Sequence, residues 1–439
     1  MTFVSIGLIG VTCRKKGVII FAVEKNSMIP TQSMIARQQQ SGVRRLQEKN
    51  KKAATLISFL LIPLSGLITD IYIPSMPHMA QGLHQTEGAI QLTLSLFLVS
   101  YGLAQFITGS LIDSYGRFRL TLVSLAVFIA SNFVIIFTKQ IEWIYAMRIV
   151  QGITTGFIIV AKRAFFVDVY EGEERKHYLS LMSIVWSSAP VIAPFIGGYL
   201  QQYFNWQANF YVLAIYGMLM LILEWAFSGE TVPVYRRFKW ASVIKDYRFM
   251  MRSRMFAYGL LICGLCYGTT MIFGLAGAFI IEHEMHYSSI VAGYGALVMG
   301  LAWMCGGFLG KASLSKSFLP KLRRSNALQL LFTLGMILSA AWMQNLYTLL
   351  ACAFLIHVCV GFIFNNYFAY CLGRFPQMAG LASGLSGGAN FIITAVASYT
   401  VVGLLHPKTQ QGLGYGYLMM GAIAFLVLQL LLKKEPEPA

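Results

Sequence analysis

The sequence predicts an all-α membrane protein with twelve transmembrane helices in two six-helix halves. Three observations carry that expectation. Hydrophobic residues make up 57% of the 439 and charged residues only 12%, where a soluble domain carries about 25% charged residues. Apolar runs of about 20 residues, the length needed to cross a bilayer, recur down the whole chain. No strand-like alternation competes with them. Such a composition cannot form one globular core with a charged coat, so the bilayer is an expected partner.

The runs fall at 55–76, 89–112, 119–138, 143–166, 178–203, 208–228, 256–281, 290–310, 326–344, 347–372, 380–404 and 413–432. An even number puts both termini on one side. With that side cytoplasmic, the outer loops hold only Lys139 and Lys408, and Arg148 lies inside a span. The remaining 31 of the 34 Lys and Arg residues lie on the cytoplasmic side or at that end of a helix. The positive-inside rule therefore fixes the orientation, with both termini at the cytoplasmic face. It also explains the net charge of +17, which excludes nucleic acid as its cause.

Residues 1–54 read as a cytoplasmic, disordered tail. Its apolar pieces are too short to span, and its basic residues follow the first apolar run, unlike a signal peptide. Met28 or Met34 is the expected start. Residues 55–228 form the first six-helix half and 256–432 the second, with 433–439 a short cytoplasmic tail. The linker 229–255 holds seven basic and two acidic residues. Within it Trp240, Val243, Ile244, Tyr247 and Met251 recur at helical spacing beside Lys245, Arg248 and Arg252, the pattern of an amphipathic helix on the inner leaflet. LAQFITGSLID at 103–113 aligns with LAWMCGGFLGK at 301–311, each ending the second span of its half, as in a parallel repeat.

Seven Cys are scattered, six of them in or beside apolar segments. They read as small packing residues, and Cys263-Gly-Leu-Cys266, lacking His or acidic company, as no metal site. Glu282, His283, Glu284 and His286 lack the spacing of a metalloprotease and read as a solvated loop. No metal or cofactor is expected. No nucleophile–base set suggests an enzyme, no loop is long enough for a sensor domain, and no GxxxxGK[ST] suggests ATP-driven transport.

The chemistry concentrates in a few places. Asp70 is the one charge between Ala53 and Pro77. Arg148 lies inside the fourth span. Both sit about 8 Å inside the outer boundary at 1.5 Å rise per residue. Ionisable groups at such depth are costly and mark function, so the expectation is an Asp70–Arg148 pair that couples to protons. Glu224 near the end of the sixth span reads as snorkelling. His357, Asn365 and Asn366 in the tenth span, with Tyr72, Tyr101, Tyr267, Phe273 and Tyr367, are candidates for a substrate cavity.

Family resemblance sharpens these roles. G109-S-L-I-D113-S-Y-G116-R117-F-R119 resembles the cytoplasmic gate signature of the major facilitator superfamily, with Ser114 in place of a usual basic residue. R148-I-V-Q151-G152 is similar to the fourth-span motif. P190-V-I-A193-P194-F-I-G197-G198 resembles the antiporter motif, with Ala193 replacing a usual Gly. T69-D70-I-Y-I-P-S-M-P, R163-A-F-F-V-D168 and G380-L-A-S-G384 resemble the bicyclomycin- and chloramphenicol-resistance group of drug:proton antiporters. The resemblance covers most of 53–432. It implies a monomeric carrier in the bacterial inner membrane. The first, fourth, seventh and tenth spans would line its cavity, and it would exchange protons for small amphipathic compounds. Export of one metabolite, such as a siderophore, is the alternative.

Overall fold

The computed structural model describes residues 44–233, 235, 240–313 and 315–432. The expectations for 1–43 and 433–439 lie outside the described residues.

Helices occupy all twelve expected positions, and the described residues contain no strand beyond one isolated bridge, Arg45 to Glu230. The first span is broken into α1 (Lys51–Leu61), α2 (Leu64–Asp70), a 3₁₀ turn (Ile73–Ser75) and α3 (Met76–Gly82). Next come α4 (Glu87–Tyr115), α5 (Arg117–Phe137), α6 (Ile141–Val169), α7 (Gly172–Tyr203) and α8 (Gln207–Phe227). The linker helix is α9 (Trp240–Met251). The second set is α10 (Arg254–Phe279), followed by a π turn (Ile280–Glu284), then α11 (Ser289–Ala312), α12 (Phe318–Ser339), α13 (Leu346–Gly373), α14 (Ala379–Leu405) and α15 (Gln410–Leu432). Among the described residues, ten helical segments are long and apolar enough to cross a membrane; α7 and α12 are not among them. Both begin with charged turns, Glu173 to Lys176 and Lys321 to Arg324, that extend the helix past its apolar run.

Proline explains the breaks in the first span. Pro63, which caps α2, has no N–H to offer the Phe59 carbonyl four residues back, although Ile62 before it keeps helical geometry. Pro74 has no N–H to offer the Asp70 carbonyl four residues back, so the regular ladder stops there. In α7 the helix continues through Pro190 and Pro194. Other ends are closed locally. Thr86 accepts from the Ala89 N–H at 3.2 Å, Asn345 and Thr348 form a reciprocal capping box, and Gly116 turns the chain between α4 and α5 at φ +96°.

The helices pack in matching pairs. α2 lies on α7 as α10 lies on α14, and α4 on α6 as α11 on α13. α5 lies on α6 and α8 as α12 lies on α13 and α15. Two further pairs cross between the sets: α4 with α14, and α7 with α11. α10 is buried nearly all round. α8 is buried on one side only, with Ile215, Ile222 and Trp225 exposed where lipid would cover them.

The linker helix departs from its expected face. Val243 and Met250 are buried, and the Tyr247 hydroxyl donates to the Phe106 carbonyl at 2.9 Å. Trp240, Ile244, Phe249 and Met251 are exposed. The expected single apolar stripe is thus divided between the bundle and the exterior, because α9 packs against α10 and α14. Burial pushes the Tyr247 phenol up to about 12, so it remains a proton donor at ordinary pH.

Candidate functional site

Asp70 ends α2 and is 4% exposed, yet its Oδ2 has no hydrogen-bond partner. It faces a cavity of about 60 Å³, lined also by Ile73, Trp186, Pro190, Tyr267, Thr270, Phe273 and Trp303. That volume holds a few water molecules, whereas drug-sized ligands occupy several hundred cubic ångströms, so the site must widen to take one. Trp186 donates to the Ser65 hydroxyl at 3.2 Å, and Tyr267 meets Trp303 edge-on at 5.6 Å. The antiporter-like motif positions this wall. Pro190 and Pro194 line the cavity itself. Gly197 lets α7 approach so closely that an added Cβ would fall 1.6 Å from the Ile71 carbonyl oxygen. Gly198 allows the same helix to touch Ser289 of α11.

Arg148 does not pair with Asp70, contrary to the sequence expectation. The guanidinium is fully buried and donates to Gln151 Oε1 at 2.8 Å, the Tyr72 hydroxyl at 3.3 Å, and the Ile68 and Thr93 carbonyls at 3.4 Å. It also lies 4.6 Å from the ring centres of Tyr72 and Phe97, a cation–π arrangement. The reason is helical geometry. Ile68 and Tyr72 lie two positions either side of Asp70, and two residues turn a helix by about 200°. The face that meets α6 is therefore opposite the face that carries Asp70. The end of α2 leaves the Ile68 carbonyl without a helical partner, and Arg148 takes it. Thr93 donates to the Ile90 carbonyl at 2.6 Å, which leaves Tyr72 to donate to Thr93 at 3.1 Å.

Matching depth was legible in the sequence, but which side of the first span each group meets was not. The other cavity candidates divide. Tyr267 and Phe273 line the cavity. Tyr72 holds Arg148 instead. Tyr101 is buried between Phe97 and Phe391. Tyr367 donates to the Met255 carbonyl at 3.1 Å. His357 is behind Phe273, at a ring separation of 6.1 Å, with Nδ1 2.7 Å from the Ala353 carbonyl. Asn365 and Asn366 donate to the carbonyls four residues back in their own helix and pack on Gly307 and Gly310 of α11. None of these six side chains is in the wall of the Asp70 cavity. Trp186 and Trp303 are there and were not anticipated; their only sequence signal is that large aromatics sit mid-span.

The gate motif forms a charged cluster. Arg117 is 3.2 Å from Asp113, pairs closely with Asp168 of the fourth-span motif, and donates to the Ala164 carbonyl at 3.1 Å. Thr231 donates to Asp168 at 3.1 Å. Arg119 is exposed, Arg163 is half-buried, and Gly109 has open space beside it. Gly152 packs directly on the Phe97–Tyr101 backbone of α4. Glu230, which sequence reasoning passed over, is 2% exposed. Its carboxylate accepts from the N–H groups of Arg117, Phe118, Thr231 and Val232 at 2.9 to 3.3 Å. An acid at the opening of a basic linker was the available clue.

Two further acids correct the sequence reading. Glu224 does not snorkel: it is 1% exposed, pairs closely with Lys162 and accepts from Ser228 at 2.8 Å. Glu282 does not sit in a solvated loop but pairs with His78 at 3.1 Å, its side chain 7% exposed.

Among the described residues, then, ten helical segments are long and apolar enough to cross a membrane, and the bundle encloses a carboxylate among aromatic rings. The chain belongs to the Major Facilitator Superfamily, whose model matches residues 58–398. It is 27% identical over 389 residues to multidrug resistance protein D of Escherichia coli, covering 84% of this chain and 93% of that one. It is 26% identical to the bicyclomycin resistance protein homolog of Haemophilus influenzae, covering 81% and 91%. An uncharacterized MFS-type transporter of Bacillus subtilis, YdgK, is 26% identical, covering 80% and 88%. The crystal structure of the nucleoside transporter NupG shares the fold, with a TM-score of 0.65 over 88% of this chain and 99% of that one, at 13% identity.

Proposed function

We propose that this protein is a proton-driven exporter of small amphipathic compounds, with Asp70 as the shared site of proton and substrate. It resides in the cytoplasmic membrane as a monomer with both termini inside, and its halves, 55–228 and 256–432, rock about the central cavity. Relatives named for multidrug and bicyclomycin resistance support the substrate class.

The observation that carries the reading is a carboxyl oxygen without a partner, facing a cavity walled by Trp186, Tyr267, Phe273 and Trp303. A buried carboxylate is costly as a bare charge. It sheds that cost by taking a proton or by accepting a cation, and the aromatic wall favours a cation with apolar groups attached. Both cannot occupy Asp70 together, so loading one releases the other. That competition, with access alternating between the two sides, is exchange. Exchange of one proton for one monovalent cation moves no net charge, so the potential cancels and one pH unit, about 1.4 kcal/mol, supports roughly a tenfold gradient of a cation. For a neutral compound ~100 mV adds about 2.3 kcal/mol, and the gradient rises to roughly 500-fold.

The test is substrate-induced proton release from detergent-solubilised protein. Wild type releases protons on addition of a lipophilic cation such as tetraphenylphosphonium. Asp70→Asn releases none and binds the cation at least tenfold more weakly. Equal release from both would remove Asp70 from coupling.

A further inference from the structure

At the end of the bundle that the proposed orientation makes external, two histidine–carboxylate pairs tie the first set of helices to the second. His78 on α3 has Nδ1 3.1 Å from Glu282 Oε2 in the π turn after α10. His283 in the same turn has Nδ1 3.6 Å from Glu87 Oε1 at the start of α4. Gln81 Nε2 is 3.4 Å from His283 Nε2, and Gln91 donates to the Leu275 carbonyl at 2.8 Å. The partners of the first pair differ in exposure, whereas those of the second are alike, at 43% and 41%. Both histidine side chains are 43% exposed and reach bulk protons. Glu282 is nearly buried, and its Oε1 has no hydrogen-bond partner.

We propose that these pairs form a titratable latch on the outer gate: protons from outside, on His78 and His283, hold the external end closed. The latch proton is distinct from the one exchanged at Asp70. The proposal rests on the orientation given above, but not on what the carrier exports.

Histidine titrates near pH 6.5 in water. While neutral, each ring makes at most an ordinary hydrogen bond to its carboxylate. Once protonated, it makes a charge-assisted ion pair, strengthened at Glu282 by exclusion of water. Opening the gate separates both rings from their carboxylates and takes the pairs apart. The closed conformation therefore binds these protons more tightly than the open one. By linkage, acid outside favours closure and alkali favours opening. The titratable groups that α3, α4 and the π turn bring to this cluster are His78, Glu87, Glu282 and His283. Exposed His84, Glu284 and His286 border it and stay in place in every test variant. The π turn is a further sign of design, since such turns concentrate at functional positions. In an exchanger, a latch that closes on protons would tie closure of the emptied site to the presence of the driving ion.

The experiment measures opening directly. Spin labels at Gln85→Cys and Tyr287→Cys, on a background with the native cysteines replaced and Asp70→Asn installed, report the gap between α3 and the π turn by double electron–electron resonance in lipid nanodiscs. No substrate is present, so the outcome is separable from the exchange reaction. The wide-gap population is expected to rise at least threefold from pH 5.5 to 8.5, with a midpoint above 6.5, because the closed pairs hold their protons more tightly than free histidine does. His78→Gln with His283→Gln should abolish that dependence, and Glu282→Gln alone should at least halve it. A double variant that keeps the parent's pH dependence, or a parent whose gap widens in acid, would overturn the latch.

Discussion

Single residues in this protein do different work depending on what completes them. Asp70, Glu224 and Glu282 are three buried acids in or beside spans, and each is satisfied differently. Glu224 has a full ion partner in Lys162 and a hydroxyl from Ser228; Glu282 has a histidine that reaches water; Asp70 has an oxygen left over. Glu282 also has one oxygen without a partner, but it is Asp70 that faces a cavity walled by aromatic rings, where a small molecule can come and go. Arg148, fully buried, is held by carbonyls, an amide, a phenol and two ring faces. Guanidinium suits that role because its five donors and flat face use all of these at once. The Lys162–Glu224 pair gives a stability prediction. Glu224→Gln strands a buried ammonium and should cost about 3–5 kcal/mol, whereas Lys162→Met with Glu224→Leu should be close to wild type. Denaturant unfolding in detergent would check this, and a single variant as stable as its parent would refute it.

Helix interfaces set the second scale. The first span works because it is broken. Pro63 and Pro74 interrupt the ladder on either side of Asp70, and α2 hands its free Ile68 carbonyl to Arg148. On its other side, α7 approaches through a residue without a side chain. Gly197→Ala puts a methyl carbon against the Ile71 carbonyl, an overlap that the backbone must move to relieve. Gly109→Ala, in the gate motif but beside open space, provides the contrast. Size-exclusion profiles should show loss of monodisperse protein for Gly197→Ala and an unchanged peak for Gly109→Ala. Intact protein from both would mean that α2 and α7 are less closely set than described.

Across the whole molecule, the matching helix pairs leave two crossing interfaces, α4 with α14 and α7 with α11, about which motion could occur. The cavity lies against the second of these, and the two histidine–carboxylate pairs bridge the two sets at one end. At the opposite end Glu230 gathers the start of α5 and the linker onto one carboxylate, while Arg44 donates to the carbonyls of Trp225 and Ala226 at 2.9 and 2.6 Å. Glu230→Ala removes the acceptor of four N–H groups and should lower stability by about 2 kcal/mol. Amide exchange should quicken at 116–118 and 230–232 while α10 stays protected. Unchanged exchange at these amides would show that the carboxylate is not what holds them.

The sequence by itself determined the class of fold, most span ends to within a turn, and the residues worth asking about, and its basic residues imply a sidedness. Those properties follow from apolar run length, charge asymmetry and local motifs, all of which are one-dimensional. Asp70 stood out because one charge in an apolar run is visible in a string. Only the tertiary structure decided partnership. A string gives depth along a helix but not the direction a side chain takes from a helix broken at two prolines. Hence Asp70 and Arg148, level with each other, came out on opposite faces. Glu224 and Lys162, 62 residues apart, came together, and so did His78 and Glu282. In each case the deciding quantity was rotation about a helix axis fixed by packing against other helices, and no local pattern encodes it.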